Sequence, residues 1–131
     1  MKSGILFAAI LFAASPASAD DCLLPLSPRV PDGRFASDED MRRAHQEMQT
    51  FVGRADDFLH CIDAAQKEDA KTFQALGSND PDRIADYKAR QHDFEQRYHA
   101  GVDAQKAAAD NFNKQLHIWR GRTGQSSTKS G

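Results

Sequence analysis

From Ser37 onward, apolar side chains recur at steps of three and four, at Met41, Ala44, Met48, Phe51, Ala55, Phe58, Ile62 and Ala65, and again at Phe73 and Leu76. That spacing gathers them on one stripe of an amphipathic helix of about 39 residues, with nearly a seven-residue repeat. Ser37 is placed to cap its start, and Asp38, Glu39 and Asp40 fill the first turn, where the helix dipole favours negative charge. Gly77 is a stop, because glycine accepts the left-handed backbone that ends helices. Asp80-Pro81 then restarts a helix, with an N-cap followed by proline at the first helical position. A second stripe follows at Ile84, Tyr87, Phe94, Tyr98, Val102, Ala109, Phe112, Leu116 and Trp119, with Gln91 and Gln105 at intervening positions. So short a link folds the second helix back antiparallel to the first. The pattern therefore predicts an all-α fold, an antiparallel two-helix hairpin over residues 37–121 with helices at about 38–76 and 81–120. The two rods have nearly equal lengths of about 58 Å. Gly101 inside the second stripe either permits close backbone approach or is a tolerated weak spot.

Outside the hairpin the pattern changes twice. Residues 4–14 (GILFAAILFAA) form an apolar run behind Lys2, followed by Pro16 and the small residues Ala17-Ser18-Ala19. This is the layout of a secretory signal peptide, residues 1–19, cleaved after Ala19. It falls short of the roughly 20 apolar residues of a membrane span, so no stable membrane insertion is expected once it is removed. Acidic Asp20 and Asp21 ahead of Cys22 also exclude a lipoprotein site. Residues 122–131 (RTGQSSTKSG) contain no apolar residue and predict a disordered tail.

Residues 20–36 carry Pro25, Pro28 and Pro31, with a turn signal at Asp32-Gly33. Proline at every third position favours an extended polyproline-like arm. Cys22 and Cys61 are the chain's two cysteines, and an exported protein keeps disulfides. If they pair within one chain, the arm spans about 46 Å from Cys22 to Ser37 at 3.1 Å per residue. That exceeds the roughly 36 Å from the helix start to Cys61. The arm then lies along the hairpin, with Leu23, Leu24, Leu26, Val30 and Phe35 available to cover the helix–helix seam. Cys61 falls about 100° from the stripe's centre, a margin position suited to an overlying segment. An intermolecular bridge and free thiols are the alternatives.

On the opposite margin, Val52 and Leu59 widen the stripe beyond what one partner helix covers. They are candidates for self-association as a four-helix bundle or for contact with another exported protein, the alternative being two half-exposed side chains. Met41 and Met48 near Phe112 and Trp119 are either an adaptable binding end or the end of the core. The chain has 131 residues and a formal charge of −2, one unit more negative without Lys2. It has no basic face for nucleic acid. Among the five histidines, folding the hairpin brings His60 and His99 within about one turn, near Asp56, Asp57 and Glu95. They are the metal candidates, weighed against solvated surface histidines. No glycine-rich phosphate loop or nucleophile turn occurs, and carboxylates such as Asp56-Asp57 sit on exposed helical faces. The expectation is a protein that is not an enzyme and needs no cofactor.

The layout C-x-x-P-x-x-P-x-x-P-D-G from Cys22 to Gly33, followed by Met41, Phe51-Val52, Cys61-Ile62 and Phe112-Asn113-Lys114-Gln115, resembles a group of short exported bacterial helical proteins with no assigned activity. The resemblance implies that the cysteine pair and the proline arm belong to one scheme, and it carries over no catalytic residue. Spy-like chaperones differ in their L-T-x-x-Q repeats, and Skp-like chaperones in strongly basic arms where this tip is acidic. Together these readings predict a periplasmic or secreted interaction module, the alternative being a periplasmic metal-binding protein using His60 and His99.

Overall fold

The computed structural model describes residues 21–77 and 79–127. The expected signal segment 1–19 and the end of the expected tail, 128–131, lie outside the described residues. The fold is all-helical: α1 (Asp38–Leu76) and α2 (Pro81–Ser127) pack against each other as a hairpin, with an extended strap ahead of α1.

Local chemistry fixes both ends of α1. Ser37 Oγ accepts from the Asp40 N–H at 3.1 Å, and Asp40 Oδ2 accepts from the Ser37 N–H at 3.1 Å, a reciprocal cap that satisfies two of the otherwise orphaned donors. Arg42 pairs with Glu39, and Arg43 with Asp40, one turn along. At the other end Gly77 takes φ 52° and donates its N–H to the Gln74 carbonyl at 3.3 Å. Asp80 opens α2 by accepting from the Asp82 N–H through its side chain and from the Ile84 N–H through its carbonyl.

All eight residues of the α1 stripe from Met41 to Ala65 are buried. In α2 the buried line differs from the expected one: it is Phe94, Gly101, Ala108 and Phe112, whereas Tyr98 and Val102 are 41% and 40% exposed. The reason is size. Large residues marked the expected stripe, but the helices approach most closely where side chains are small. A Cβ on Gly101 would stand 2.7 Å from Leu59 Cδ2 and 2.8 Å from Phe58 Cε1. Gly101 is therefore a close-approach glycine.

The core falls into two clusters. One joins Met41, Ala44, Met48, Phe51 and Ala55 to Ala108 and Phe112, with Ala36 buried in it and Val30, Leu116 and Trp119 packed on it. The methionine–aromatic end is thus core closed by the strap, not an open binding end. The other joins Phe58, Ile62 and Ala65 to Phe94 and Cys22. Toward the tip the packing thins to a Phe73–Tyr87 stack at 4.1 Å and an Asp69 carboxylate shared by Arg90 and Gln91.

The second helix does not end near Gly121 as expected. It runs through Gly121 and Gly124 to Ser127, 47 residues against 39 for α1. Hence residues 122–127 are helix and not part of a disordered tail. The extra turns have a partner that helix pairing alone does not supply, because Arg122 Nη2 donates to the Ala36 carbonyl at 2.5 Å. The Thr123 hydroxyl also donates back to the Trp119 carbonyl at 3.0 Å.

The strap's register is read from burial. Cys22, Pro25, Pro28 and Pro31 face the hairpin, while Leu23, Leu26 and Arg29 are exposed, a period of three that matches the three residues per turn of polyproline geometry. Leu23 is 81% exposed and Leu26 94%, and Phe35 is 80% exposed. The seam is therefore covered by prolines, Val30 and Ala36, and not by these leucines and phenylalanine. At the strap's turn the Gly33 backbone lies directly on α2: a Cβ there would sit 2.1 Å from the Gln115 carbonyl oxygen. Gly33→Ala should therefore destabilise the protein by about 1–3 kcal/mol through forced overpacking. Urea denaturation followed by circular dichroism measures this, and an unchanged midpoint would contradict the close contact.

Candidate functional site

The hairpin has two unlike flanks, and both follow from helical geometry. Residues 43, 47, 50, 54, 57 and 61 of α1 lie to one side of its buried stripe, and residues 52, 56, 59 and 63 to the other. The strap takes the first side. Cys22 and Cys61 are joined with Sγ atoms 1.98 Å apart and Cα atoms 5.7 Å apart, within one chain. Beside the bond, Arg97 Nη2 donates to the Cys22 carbonyl at 2.7 Å. The turn at the strap's other end is set by Asp32, whose backbone carbonyl accepts from the Phe35 and Ala36 N–H groups. The Gly33 N–H donates to Gln115 Oε1 at 3.0 Å, which joins the turn to α2.

Between strap and α1 lie three shallow clefts of about 300, 400 and 410 Å³. Arg43 and Glu47 line two of them, and Arg54 lines the cleft at Pro25 and the one at the disulfide. Trp119 Nε1, by the strap turn, is buried without a hydrogen-bond partner among the described residues.

The opposite flank is bare. Val52 is 38% exposed and its carbonyl accepts from Gln105 Nε2 at 3.4 Å, while the same amide donates to Asp56 Oδ1 at 2.7 Å. Leu59 is half-buried against the Phe58–Ile62 cluster, so part of it is already used inside the hairpin. The sequence reading missed that Tyr98 and Val102 join this flank from α2, each about two-fifths exposed. A signal for them was present: Val102, Ala109 and Leu116 recur at intervals of seven, as do Val52 and Leu59 on α1.

His60 and His99 are both exposed, and His99 stands edge-on to Tyr98 at 6.4 Å. Among the described residues, no group of three or more histidine, cysteine, aspartate or glutamate side chains is placed to hold a metal ion. Asp56, a nearby candidate, instead pairs with Gln105. His45 lies 6.0 Å from Phe112, and His92 shares a hydrogen bond with Gln96 at 2.9 Å. Among the described residues, no helix is long and apolar enough to cross a membrane. Comparison with known proteins finds no matching family, no similar curated protein and no similar solved structure.

At the strap turn Asp32 and Arg34 form a close ion pair. Asp32 accepts from the Arg34 backbone N–H at 2.9 Å and from its guanidinium at 2.6 to 3.1 Å. The Arg34 side chain, followed by its backbone N–H, pulls the Asp32 carboxyl from 3.8 to about 2. A depressed folded value means the carboxylate's contribution is present above the ordinary value and is lost as pH falls through about 2. Both groups are exposed, so salt screens the pair. Carbon-detected NMR titration should give an Asp32 midpoint near 2, and Arg34→Ala should move it back toward the ordinary value. An Asp32 midpoint unaffected by Arg34→Ala would show that the pairing does not persist in solution.

Proposed function

We propose that the mature chain is an exported, non-catalytic interaction module that pairs with a second copy of itself through the bare flank. What supports export is the signal-like pattern of residues 1–19 together with an intramolecular disulfide, a bond that persists in oxidising compartments. The periplasm is the simplest such address for a signal of this short bacterial type. The resemblance to short exported helical proteins points the same way.

The observation that carries the interaction reading is the flank formed by Val52 and Leu59 of α1 with Tyr98 and Val102 of α2. Apolar residues at seven-residue intervals along a rod favour another rod as partner, because that period keeps the contact aligned over several turns. A twofold copy of the hairpin supplies two such rods and gives a four-helix bundle. The strap leaves this flank open, since its anchors lie at Cys61 and Arg97 on the other margin.

A photo-crosslinking residue at position 52 or 102 should give an adduct of twice the chain mass when irradiated in its native compartment. Val52→Glu with Val102→Glu should abolish that adduct and shift sedimentation from dimer to monomer without loss of helicity. A strictly monomeric wild-type chain at micromolar concentration, or crosslinks only to other proteins, would overturn self-pairing.

A further inference from the structure

The strap is anchored unequally along its length. From Val30 to Ala36 it is part of the fold: Val30 packs on the first core cluster, Ala36 is buried in it, and Gln115 and Arg122 bond to the Gly33 N–H and the Ala36 carbonyl. From Cys22 to Pro28 the attachment is thinner. Pro25 and Pro28 are half-buried, Leu23 and Leu26 are in solvent, and clefts of about 300 and 410 Å³ separate this stretch from α1. Among the described residues, one hydrogen bond, from Arg97 to the Cys22 carbonyl, ties residues 22–28 to the hairpin. Cys22 itself is buried in the cluster of Phe58, Ile62 and Phe94, and beyond it the covalent bond is what holds this half closed.

That bond is also approachable. Cys22 is 2% exposed, but Cys61 is only half-buried. The larger of the two clefts opens beside the bond and is lined by both cysteines with Leu23, Leu24, Arg54, Asp57 and Phe58. Reactivity of a disulfide depends on access for the attacking thiolate as well as on the thiols themselves.

We infer that the first half of the strap is a redox-released cover: a dithiol reductant opens Cys22–Cys61, and residues 22–28 leave the hairpin. The covered sides of Phe51 and Phe58 then become accessible, while the helices and the strap turn stay in place. In the reaction one thiolate of the reductant attacks Cys61 Sγ and forms a mixed disulfide. Cys22 leaves as a thiolate and takes up a proton. The reductant's second thiol, as its thiolate, then attacks its own sulfur in the mixed disulfide and releases Cys61, which is protonated in turn. The protein gains two electrons and two protons, and the reductant becomes a cyclic disulfide. The surface so uncovered lies on the flank away from Val52 and Val102, so this inference stands or falls apart from self-pairing.

The test uses the mature chain and dithiothreitol, with backbone NMR relaxation and circular dichroism on one sample. On reduction, order parameters for residues 23–28 should fall from about 0.85 to below about 0.6, with residues 33–36 and the helices unchanged. An apolar fluorescent dye should brighten several-fold at the same time. Cys22→Ser with Cys61→Ser should reproduce this state without reductant. Unchanged order in 23–28 would show that packing alone holds the strap. Loss of helical signal would show that the bond supports the whole fold. Either outcome overturns the inference.

Discussion

One covalent bond determines where the strap lies on a hairpin with a thin core. Joining Cys22 to Cys61, 39 positions apart, removes loop-closure entropy from the unfolded chain, by about 4 kcal/mol in the chain-entropy model. That is a large share of the roughly 5–15 kcal/mol by which domains are stable. The bond also sets phase. Once Cys22 is fixed on the hairpin, a three-residue repeat turns Pro25, Pro28 and Pro31 toward it and leaves Leu23 and Leu26 in solvent. The strap's two ends enter different core clusters, Cys22 the one around Ile62 and Ala36 the one around Phe51. It therefore ties together two regions that the helices connect only along their length.

The asymmetry of the two flanks follows from that placement. The strap occupies the margin that carries Cys61, and its return turn needs a surface, which the last turns of α2 provide at Gln115, Trp119 and Arg122. The unequal helix lengths are thus a consequence of a three-element assembly. The other margin has no such cover, and its Val52, Tyr98 and Val102 are left at about two-fifths exposure. Exposed pairs such as Lys67–Asp63 and Lys106–Asp110 join neighbouring turns of one helix, whereas Arg90–Asp69 and Gln105–Asp56 tie one helix to the other.

Much of this was legible where one signal dominates locally. Periodicity located every buried residue of α1, and Ser37, Gly77 and Asp80-Pro81 marked helix ends by the hydrogen bonds their side chains or backbones can make. The intrachain cysteine pairing is one of three readings, the one that the reach of the strap allows. What escaped depends on tertiary context. Gly101 and Ala108 carry almost no hydrophobic signal, yet they lie where the rods come closest. Gly121 suggested an ending, and the polar residues after it gave no hint that Arg122 meets the Ala36 carbonyl across 86 positions. Leu23 and Leu26 are inward candidates on hydrophobicity alone, although the spacing of the prolines already implies the register that points them out. In the candidate site, Val52 and Leu59 were readable from α1. Val102 had a signal in its seven-residue recurrence with Ala109 and Leu116, but that it and Tyr98 share the flank of Val52 required the register of the two helices.

The distribution of packing along the rods constrains the order in which this molecule can assemble. Its buried residues run from the cluster of Met41, Phe51 and Phe112 at the open end to that of Phe58, Ala65 and Phe94 in the middle, while the connecting tip holds little beyond the Phe73–Tyr87 stack. Zipping outward from the turn would therefore meet weak contacts first and strong ones last. A loop must close before substantial hydrophobic gain is felt. Because closure entropy grows slowly, by about 0.6 kcal/mol per doubling of loop length, bringing distant segments together early is affordable. With the larger clusters away from the tip, a change in tip length acts on this molecule chiefly through that closure term.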